Sequence, residues 1–169
     1  MRHKDNEMNS SYYGCITDIR QLHRFHSDNV RWLDPSVDYD LIEEYLSYFN
    51  VHSATDTYFG ISLKRIQDDY SIDEDRNGRL CGFVADGRIL SLAGVEVYSP
   101  TEWKLCAVSS HPAHRNKGHS KATCSFVAQY ILEANKRAIC ETNITNLAMQ
   151  SVLRQIGMTQ YFLGRTGNC

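Results

Sequence analysis

The sequence predicts an α+β fold in which helices flank a mixed, mostly antiparallel sheet. The first observation is a pair of apolar runs, residues 80–85 and 88–98, joined by Asp86-Gly87, a dipeptide that favours the tight turn of a hairpin. The second is a further apolar run at 101–110, followed by a helical pattern and a short strand at 137–141. Because that last strand can return through a right-handed crossover, the order is antiparallel first and parallel last.

The N-terminal third predicts two helices that pack on this sheet. The first begins at Thr17 or Asp18, either of which can cap it. Its apolar residues are Ile19, Leu22 and Phe25. The second covers residues 38–50, where apolar and aromatic side chains recur at helical spacing. Residues 58–63 predict the start of a strand, and residues 67–78 are too polar for the core.

Two more helices are predicted in the C-terminal half. The helix at 120–135 carries one apolar face. That face consists of Phe126, Val127, Tyr130, Ile131 and Ala134. After the short strand, residues 142–148 open a second helix that closes at Ile156-Gly157-Met158.

Composition favours one domain spanning residues 1–169, with a net charge of −2 and a pI near 6.4. This charge argues against a general nucleic-acid-binding surface. No apolar stretch approaches the ~20 residues of a membrane span, and the first ten residues are too polar for a signal peptide. We therefore expect a cytoplasmic protein. The cysteines, at 15, 81, 106, 124, 140 and 169, form no Cys-x-x-Cys pair. We expect buried reduced thiols rather than a zinc site or disulfides.

A basic segment at residues 111–120 lies between the predicted strand at 101–110 and the predicted helix at 120–135. Its sequence is His-Pro-Ala-His-Arg-Asn-Lys-Gly-His-Ser. The first amides of a helix have no partner within it, and with the helix dipole they favour a bound phosphate. Arg115 and Lys117 add positive charge, and Gly118 lets the backbone turn or approach a ligand closely. The segment predicts an anion-binding turn; an ordinary basic surface turn is the alternative.

The stretch from Leu105 to Met158 resembles the GNAT superfamily of acetyl-CoA-dependent N-acetyltransferases. The characteristic turn of that family has Arg or Gln, two residues, Gly, one residue, then Gly or Ala. Here the turn runs from Arg115 to Ser120 and departs only in its final serine. Asn146, Ala148 and the closing Ile-Gly-Met, where many members have Leu-Gly-Phe, follow in the same order.

The resemblance implies a GNAT-like sheet in which the strand before the turn and the strand after the following helix splay apart and admit the pantetheine arm of CoA. The cofactor-binding residues that it implies on the first strand are Ala107, Val108, Ser109 and Ser110. Those that it implies at the pyrophosphate are the amides of Asn116, Lys117, Gly118, His119 and Ser120. Arg115 would orient the turn or contact phosphate, or be a surface cation. Asn146 would lie near the pantetheine, or simply cap its helix.

The implied reaction is direct transfer of an acetyl group from acetyl-CoA to an amine, without metal. The Val108 or Ser109 amide is the natural donor to the oxyanion. Many members have a tyrosine near the sulfur, but five residues before the end of the motif this chain has Leu153. Tyr161 or a water would then protonate the thiolate, or no acid is needed.

Two carboxylates, Glu96 and Glu102, are the candidate bases that remove the proton from the amine. Strand alternation turns Glu96 towards either a cleft or solvent, Glu102 is expected to face solvent, and a relayed water is a further candidate. A metal site built from His111, His114 and His119 is less expected than loop histidines. A nucleophilic pair of Cys106 and His111 is a weaker enzyme alternative, because Cys106 lies in an apolar strand.

The expected acceptor is a small-molecule amine, since residues 1–79 would supply helices and loops that close an acceptor pocket over the acetyl-CoA-binding core at 80–169. Five carboxylates precede the hairpin: Asp68, Asp69, Asp73, Glu74 and Asp75. They are either a solvated surface or an attractor for a cationic acceptor such as an aminoglycoside or a polyamine. The alternatives are a protein lysine or N-terminal acetyltransferase and a non-catalytic acyl-CoA sensor. The chain is expected to be a monomer or homodimer, with no nucleic-acid or membrane partner.

Overall fold

The computed structural model describes residues 11–49 and 78–161, together with the backbone of 57–58 and 61–62. Seven strands form one sheet in the order β2-β5-β6-β7-β8-β1-β9, and β3 and β4 pair separately. The strands of the large sheet are β1 (Ser11–Ile16), β2 (Val30–Trp32), β5 (Gly78–Ala85), β6 (Arg88–Val97), β7 (Glu102–Ser110), β8 (Arg137–Asn143) and β9 (Thr159–Tyr161). The short pair consists of β3 (Thr57–Tyr58) and β4 (Ile61–Ser62). Among the strand pairs of this sheet that the structure describes, the β7 and β8 pair alone is parallel, so the predicted mixed, mostly antiparallel sheet is confirmed.

In the described ranges 11–49 and 78–161, three α-helices cover the two faces of this sheet: α1 (Tyr39–Ser47), α2 (His119–Glu133) and α3 (Leu147–Gln155). On one face, α1 packs against sheet residues such as Leu80 and Leu92. On the other, α2 and α3 pack against residues such as Val95 and Leu105. Since side chains alternate between the faces of a strand, neighbouring residues of β6 and β7 serve different layers.

The hairpin of β5 and β6 turns at Asp86 and Gly87, whose φ angles are 52° and 70°. Both values are positive, as a two-residue hairpin turn requires. The predicted turn is therefore confirmed, and β7 follows as the third antiparallel strand. After α2, β8 returns parallel to β7, as the crossover argument predicts.

The N-terminal region differs from the prediction of helices alone. Residues Ser11–Ile16 form β1, which lies between β8 and β9 in the sheet. The helix expected at 17–25 is a single 3-10 turn, Ile19–Gln21, and the Asp18 carboxylate caps it by accepting from the Arg20 amide. Sequence patterning missed β1 because its buried residues do not alternate: Gly14, Cys15 and Ile16 are all buried, and the strand is paired on both sides.

The Asp38 side chain, which is 5% exposed, holds the start of α1 against β2. Its two carboxylate oxygens accept hydrogen bonds from the Arg31 guanidinium at 2.7 and 2.8 Å, and one also accepts from the Asp34 amide. The hydrogen bonds from Arg31 are the main cause that lowers the pKa of Asp38, and the bond from the Asp34 amide adds to it. The helix predicted at 38–50 is confirmed as α1.

Among the described cysteines, Cys81, Cys124 and Cys140 are buried thiols outside any disulfide. Burial raises the pKa of each of these three thiols, so they remain protonated and unreactive. Cys15 corrects the expectation of reduced thiols, because it is disulfide-bonded. In the part of the chain that the structure describes, no helix is long and apolar enough to cross a membrane.

Candidate functional site

Strands β7 and β8 lie side by side only where each begins. The paired residues are Glu102 with Arg137, Trp103 with Ala138 and Lys104 with Ile139, and the pairing of the two strands ends there. Further along, β8 pairs with β1 as far as Asn143. A gap therefore opens between β7 and β8, and a cavity of about 390 Å³ occupies it.

A β-bulge distorts β7 beside this gap. Leu92 pairs with Ser109, but Gly94 pairs with Cys106, so one residue of β6 faces both Ala107 and Val108. Ala107 has a φ of 53°, which a residue with a Cβ rarely adopts. Because a bulge takes a residue out of the ladder, the backbone here borders the cavity instead of continuing regular pairing.

A second cavity of about 510 Å³ lies between the end of β7, the start of α2 and one side of α3. It brings together most of the predicted cofactor-binding residues. They are Val108, Ser109, Ser110, Arg115, Asn116, Gly118, His119, Ser120 and Asn146. Ala107 lines the gap cavity instead, and Lys117 is exposed and lines neither of the two. Val108, Asn146 and Met149 line both cavities, so the two meet at these residues.

The start of α2 is open towards the larger cavity. Gly118 is its N-cap with φ 84° and ψ 1°, a left-handed conformation that glycine adopts easily. Among the described residues no side chain caps this helix, so its first amides remain available to an anion. Arg115 and Lys121 line the same cavity and add positive charge. The anion-binding interpretation of the segment therefore has the geometry that it needs.

Buried hydroxyl groups support this turn from beneath. Ser110 Oγ lies 2.6 Å from Ser120 Oγ, and Ser91 Oγ donates to the Ser109 carbonyl oxygen at 2.7 Å. Tyr45 of α1 is bonded through its hydroxyl to Ser109 Oγ at 2.8 Å. Sequence analysis missed Ser91 and Tyr45, because neither lies in the motif and only the fold places them here. The serine at the last motif position thus connects the start of α2 to the end of β7.

Asn146 does cap its helix. Its Oδ1 accepts from the Met149 amide at 3.1 Å, and its Nδ2 donates to Thr142 Oγ1 at 3.1 Å. The same residue lines both cavities, so capping also fixes its side chain at their junction.

The loop histidines have local packing roles. His111 Nδ1 accepts from the Ala113 amide, and its ring packs edge-on against Tyr48. Partial burial lowers the pKa of His111, and the same cause lowers that of His119, whose ring centroid lies 4.1 Å from that of Phe83. His111 lines a small cavity beside α1, whereas Cys106 lines the gap, so the structure does not assemble the alternative nucleophilic pair. Across the described residues, no three His, Cys, Asp or Glu side chains are grouped as a metal site.

The two predicted carboxylates are placed differently. Glu102 lies at the closed end of the β7 and β8 pair, with its Oε1 3.1 Å from Arg137 Nε. Six residues of strand, about 20 Å, separate it from Val108, so Glu102 lacks the proximity that a base needs. Glu96 lies opposite Lys104 of β7, is partly buried and lines neither cavity. About 13 Å of strand separates the level of Lys104 from Val108, so Glu96 would need a relayed water to act as the base.

A third carboxylate, Glu141, lines the gap and escaped sequence analysis. Its Oε1 accepts from Ser11 Oγ at 2.8 Å and from the Tyr13 hydroxyl at 3.0 Å. Its Oε2 lies 3.5 Å from Lys104 Nζ. The hydrogen bond from Ser11 is the main cause that lowers the pKa of Glu141, and the hydrogen bond from Tyr13 adds to it. No sequence signal could find this site, since three strands distant in the chain form it.

The positions considered for an acid need correction. Leu153 is fully buried in the core, and a Cβ on Gly14 of β1 would lie only 3.2 Å from its Cδ1, so it does not face the cavity. Val152 and Ser151 line the cavity instead. Tyr161 is in β9, where its ring packs against Tyr13 and under the Arg137 guanidinium, and it lines neither cavity. It is therefore not placed as an acid.

Comparison with known proteins shows which family this chain matches. The model of a family described as the Acetyltransferase (GNAT) family matches residues 37–158. Among curated protein sequences none matches this chain significantly.

Solved structures share the fold at low sequence identity. An acetyltransferase of the GNAT family from Novosphingobium aromaticivorans has a TM-score of 0.66 and 14% identity, over 89% of this chain and 59% of its own. A ribosomal-protein-alanine N-acetyltransferase from Brucella melitensis has a TM-score of 0.56 and 17% identity, over 83% of this chain and 97% of its own. An aminoglycoside acetyltransferase from an uncultured soil metagenomic sample has a TM-score of 0.55 and 10% identity, over 75% of this chain and 85% of its own. The chain spans only 47–59% of the first six structures matched.

Proposed function

Because this chain belongs to the GNAT family of acetyltransferases, we propose that it moves the acetyl group of acetyl-CoA directly to the amine of a small molecule. The observation that carries the proposal is the gap between β7 and β8, which lies next to the uncapped start of α2. Both cavities have volumes typical of ligand pockets, and they meet at Val108. A long ligand with an anionic end and a reactive end fits such a site.

The anionic end has a suitable partner in the turn before α2. The amides of Asn116, Gly118 and Ser120 lie at the mouth of the larger cavity, and the left-handed conformation of Gly118 leaves them without a side-chain cap. These donors would hold the pyrophosphate of CoA, and Arg115 and Lys121 would add charge. Acetyl-CoA supplies an acetyl thioester, whose carbonyl carbon is attacked by the amine.

At the reactive end, the bulge places the Val108 backbone at the junction of the cavities. Its amide would donate to the acetyl oxygen as negative charge develops there. Glu96, acting through a relayed water, would accept the proton of the attacking ammonium. No tyrosine faces the cavity from the described part of α3, so the CoA thiolate would leave as the anion or take its proton from water, which its ordinary pKa near ~8.5 permits.

The test measures ligand binding and turnover separately. Acetyl-CoA at millimolar concentration should raise the Tm of the metal-free protein, with an increase that grows with ligand concentration. Release of CoA thiol should then be followed with aminoglycosides, polyamines, amino acids and peptides in turn. An unchanged Tm contradicts the proposal. Stabilisation without turnover of any amine would favour an acyl-CoA sensor, and turnover of peptides alone a protein acetyltransferase.

A further inference from the structure

The carboxylate of Glu141 lines the gap cavity, and nothing in the motif accounts for it. Cys140 packs in the core beneath α2, so by alternation Glu141 projects from the opposite face of the sheet, with Lys104 and Cys106 of β7. The side chain is 39% exposed. It therefore presents charge to the cavity.

Hydroxyl groups from the N-terminal strand hold this carboxylate in one orientation. Ser11 and Tyr13 both donate to Oε1, and Glu141 pairs with Tyr13 across the β8 and β1 ladder. With Oε1 bound twice, Oε2 is the oxygen that remains for a cation. Both donors lie outside residues 37–158, the segment that the family model matches. The match to the family model therefore covers Glu141 but neither of its two donors.

Lys104 shows that an ammonium group fits beside Oε2. Its Nζ lies 3.5 Å away, longer than the ~2.7–2.9 Å of a strong charge-assisted hydrogen bond. Lys104 also lies opposite Glu96 in the register of β6 and β7. An incoming ammonium would compete with Lys104 for Oε2 of Glu141.

The position of Glu141 relative to Val108 sets the kind of ligand. Lys104 pairs with Ile139, so Glu141 is level with Cys106 and two residues short of Val108. Two residues of strand correspond to about 7 Å. A cation at Glu141 is therefore offset from the nitrogen that receives the acetyl group.

We propose that Glu141 is a specificity-determining residue that binds a second ammonium group of a polyamine-like acceptor, with Ser11 and Tyr13 as its positioning residues. This inference rests on the proposed function for the transfer step, but the binding that it describes can be measured without turnover. Glu141 forms no covalent bond and moves no proton in this role.

The probe is spermidine, titrated by calorimetry into protein saturated with CoA. Glu141→Gln should raise the Kd for spermidine about tenfold, because an ionised partner of the ammonium is lost. Lys104→Met removes the competing ammonium and should lower the Kd several-fold. Added salt should weaken binding to the parent more than to Glu141→Gln. Tyr13→Phe, which keeps the carboxylate, should raise the Kd two- to fivefold and leave KM for acetyl-CoA unchanged.

Glu133→Gln is the matched control, because this exposed glutamate of α2 makes the same change of charge away from the cavities. A purely structural ion pair predicts a similar fall in Tm for Glu141→Gln and Lys104→Met with no change in Kd for spermidine. That result, or a parent protein that does not bind spermidine, overturns the inference. Stabilisation by acetyl-CoA, measured on the same samples, shows separately whether the proposed function stands.

Discussion

The backbone conformation of Gly118 is the residue-scale feature on which the proposed anion site depends. Its φ of 84° lies in the left-handed region, and a Cβ there would have no neighbour closer than Lys121 Cε at 3.6 Å. The glycine is therefore required by its backbone conformation and not by crowding. Any residue with a branched side chain favours another conformation and would redirect the amides at the start of α2.

We predict that Gly118→Val abolishes the stabilisation by acetyl-CoA. Gly87→Val is the matched control, since Gly87 has a φ of 70°, open space around it and a place in the hairpin turn. Each variant should lose folding free energy on the order of 1–2 kcal/mol from the left-handed backbone. Thermal melts with and without acetyl-CoA separate the two effects. Equal stabilisation of both variants would show that the turn does not bind the ligand.

Glu96 remains the predicted base, and its exchange tests the assignment. Glu96→Gln should lower kcat/KM for the acceptor about 10²-fold. The loss should be largest at low pH, where little free amine is present and proton removal limits the rate. Rates from pH 6 to 9 are to be compared with Glu43→Gln, an exposed glutamate of α1. Superimposable pH profiles for Glu96→Gln and the parent would transfer the role to water.

At the scale of elements, short turns hold helices against the sheet. The turn after α3 contains Gly157, with φ 98°, and a Cβ on it would collide with the Gln21 carbonyl oxygen. That carbonyl belongs to the 3-10 turn after β1. The close approach explains the glycine of the closing Ile-Gly-Met motif, because it lets α3 dock against the N-terminal segment.

Gly157→Ala should therefore cost about 2–4 kcal/mol of folding free energy, since backbone atoms must move and the φ angle is unfavourable. Gly87→Ala has a positive φ without the collision and should cost about 1 kcal/mol. Urea denaturation measures both. If the two variants are equally destabilised, the contact with Gln21 contributes nothing.

The ion pair that holds α1 to β2 predicts a pH dependence. The pKa of Asp38 is lowered in the folded chain by Arg31, so its contribution to stability is present above the unfolded pKa of about 3.9 and is lost as pH falls through the folded value. Asp38→Asn should cost about 1–3 kcal/mol at pH 7 and less at pH 3. Asp28→Asn, whose side chain is fully exposed, serves as the control. A pH-independent difference would contradict the linkage.

At the scale of the whole molecule, the N-terminal strand completes a site that the C-terminal half begins. β1 lies between β8 and β9, and its side chains reach the gap that β7 and β8 open. The segment from 11 to 16 precedes the part of the chain that matches the family model. The gap cavity is therefore lined both by Ser11 of this segment and by residues of the matched part of the chain.

The acidic segment before the hairpin lies outside the described residues, and its prediction rests on charge alone. The triple variant Asp73→Asn, Glu74→Gln and Asp75→Asn should lower kcat/KM for spermidine at low salt, because clustered negative charge speeds the encounter of a polycation. At high salt the parent and variant should converge as screening shortens the range of the field. The control neutralises three exposed carboxylates elsewhere, Asp28, Glu43 and Glu133. An unchanged value at low salt assigns the acidic segment to the solvated surface.

The sequence by itself determined the hairpin, the crossover and the anion-binding turn, because each depends on local chemistry. Asp86-Gly87 fixes its turn through positive φ angles, and Gly118 does the same before α2. The family motif lies within one continuous stretch, so its order was readable without a structure.

Only the tertiary structure decided which side chains meet. Long-range pairing brings Ser11 and Tyr13 to Glu141, and Tyr45 reaches Ser109 from another layer. The register of β7 against β8 separates Glu102 from the transfer point, and helix packing buries Leu153. Such contacts depend on strand order and on which face a residue presents, and neither is encoded in local spacing.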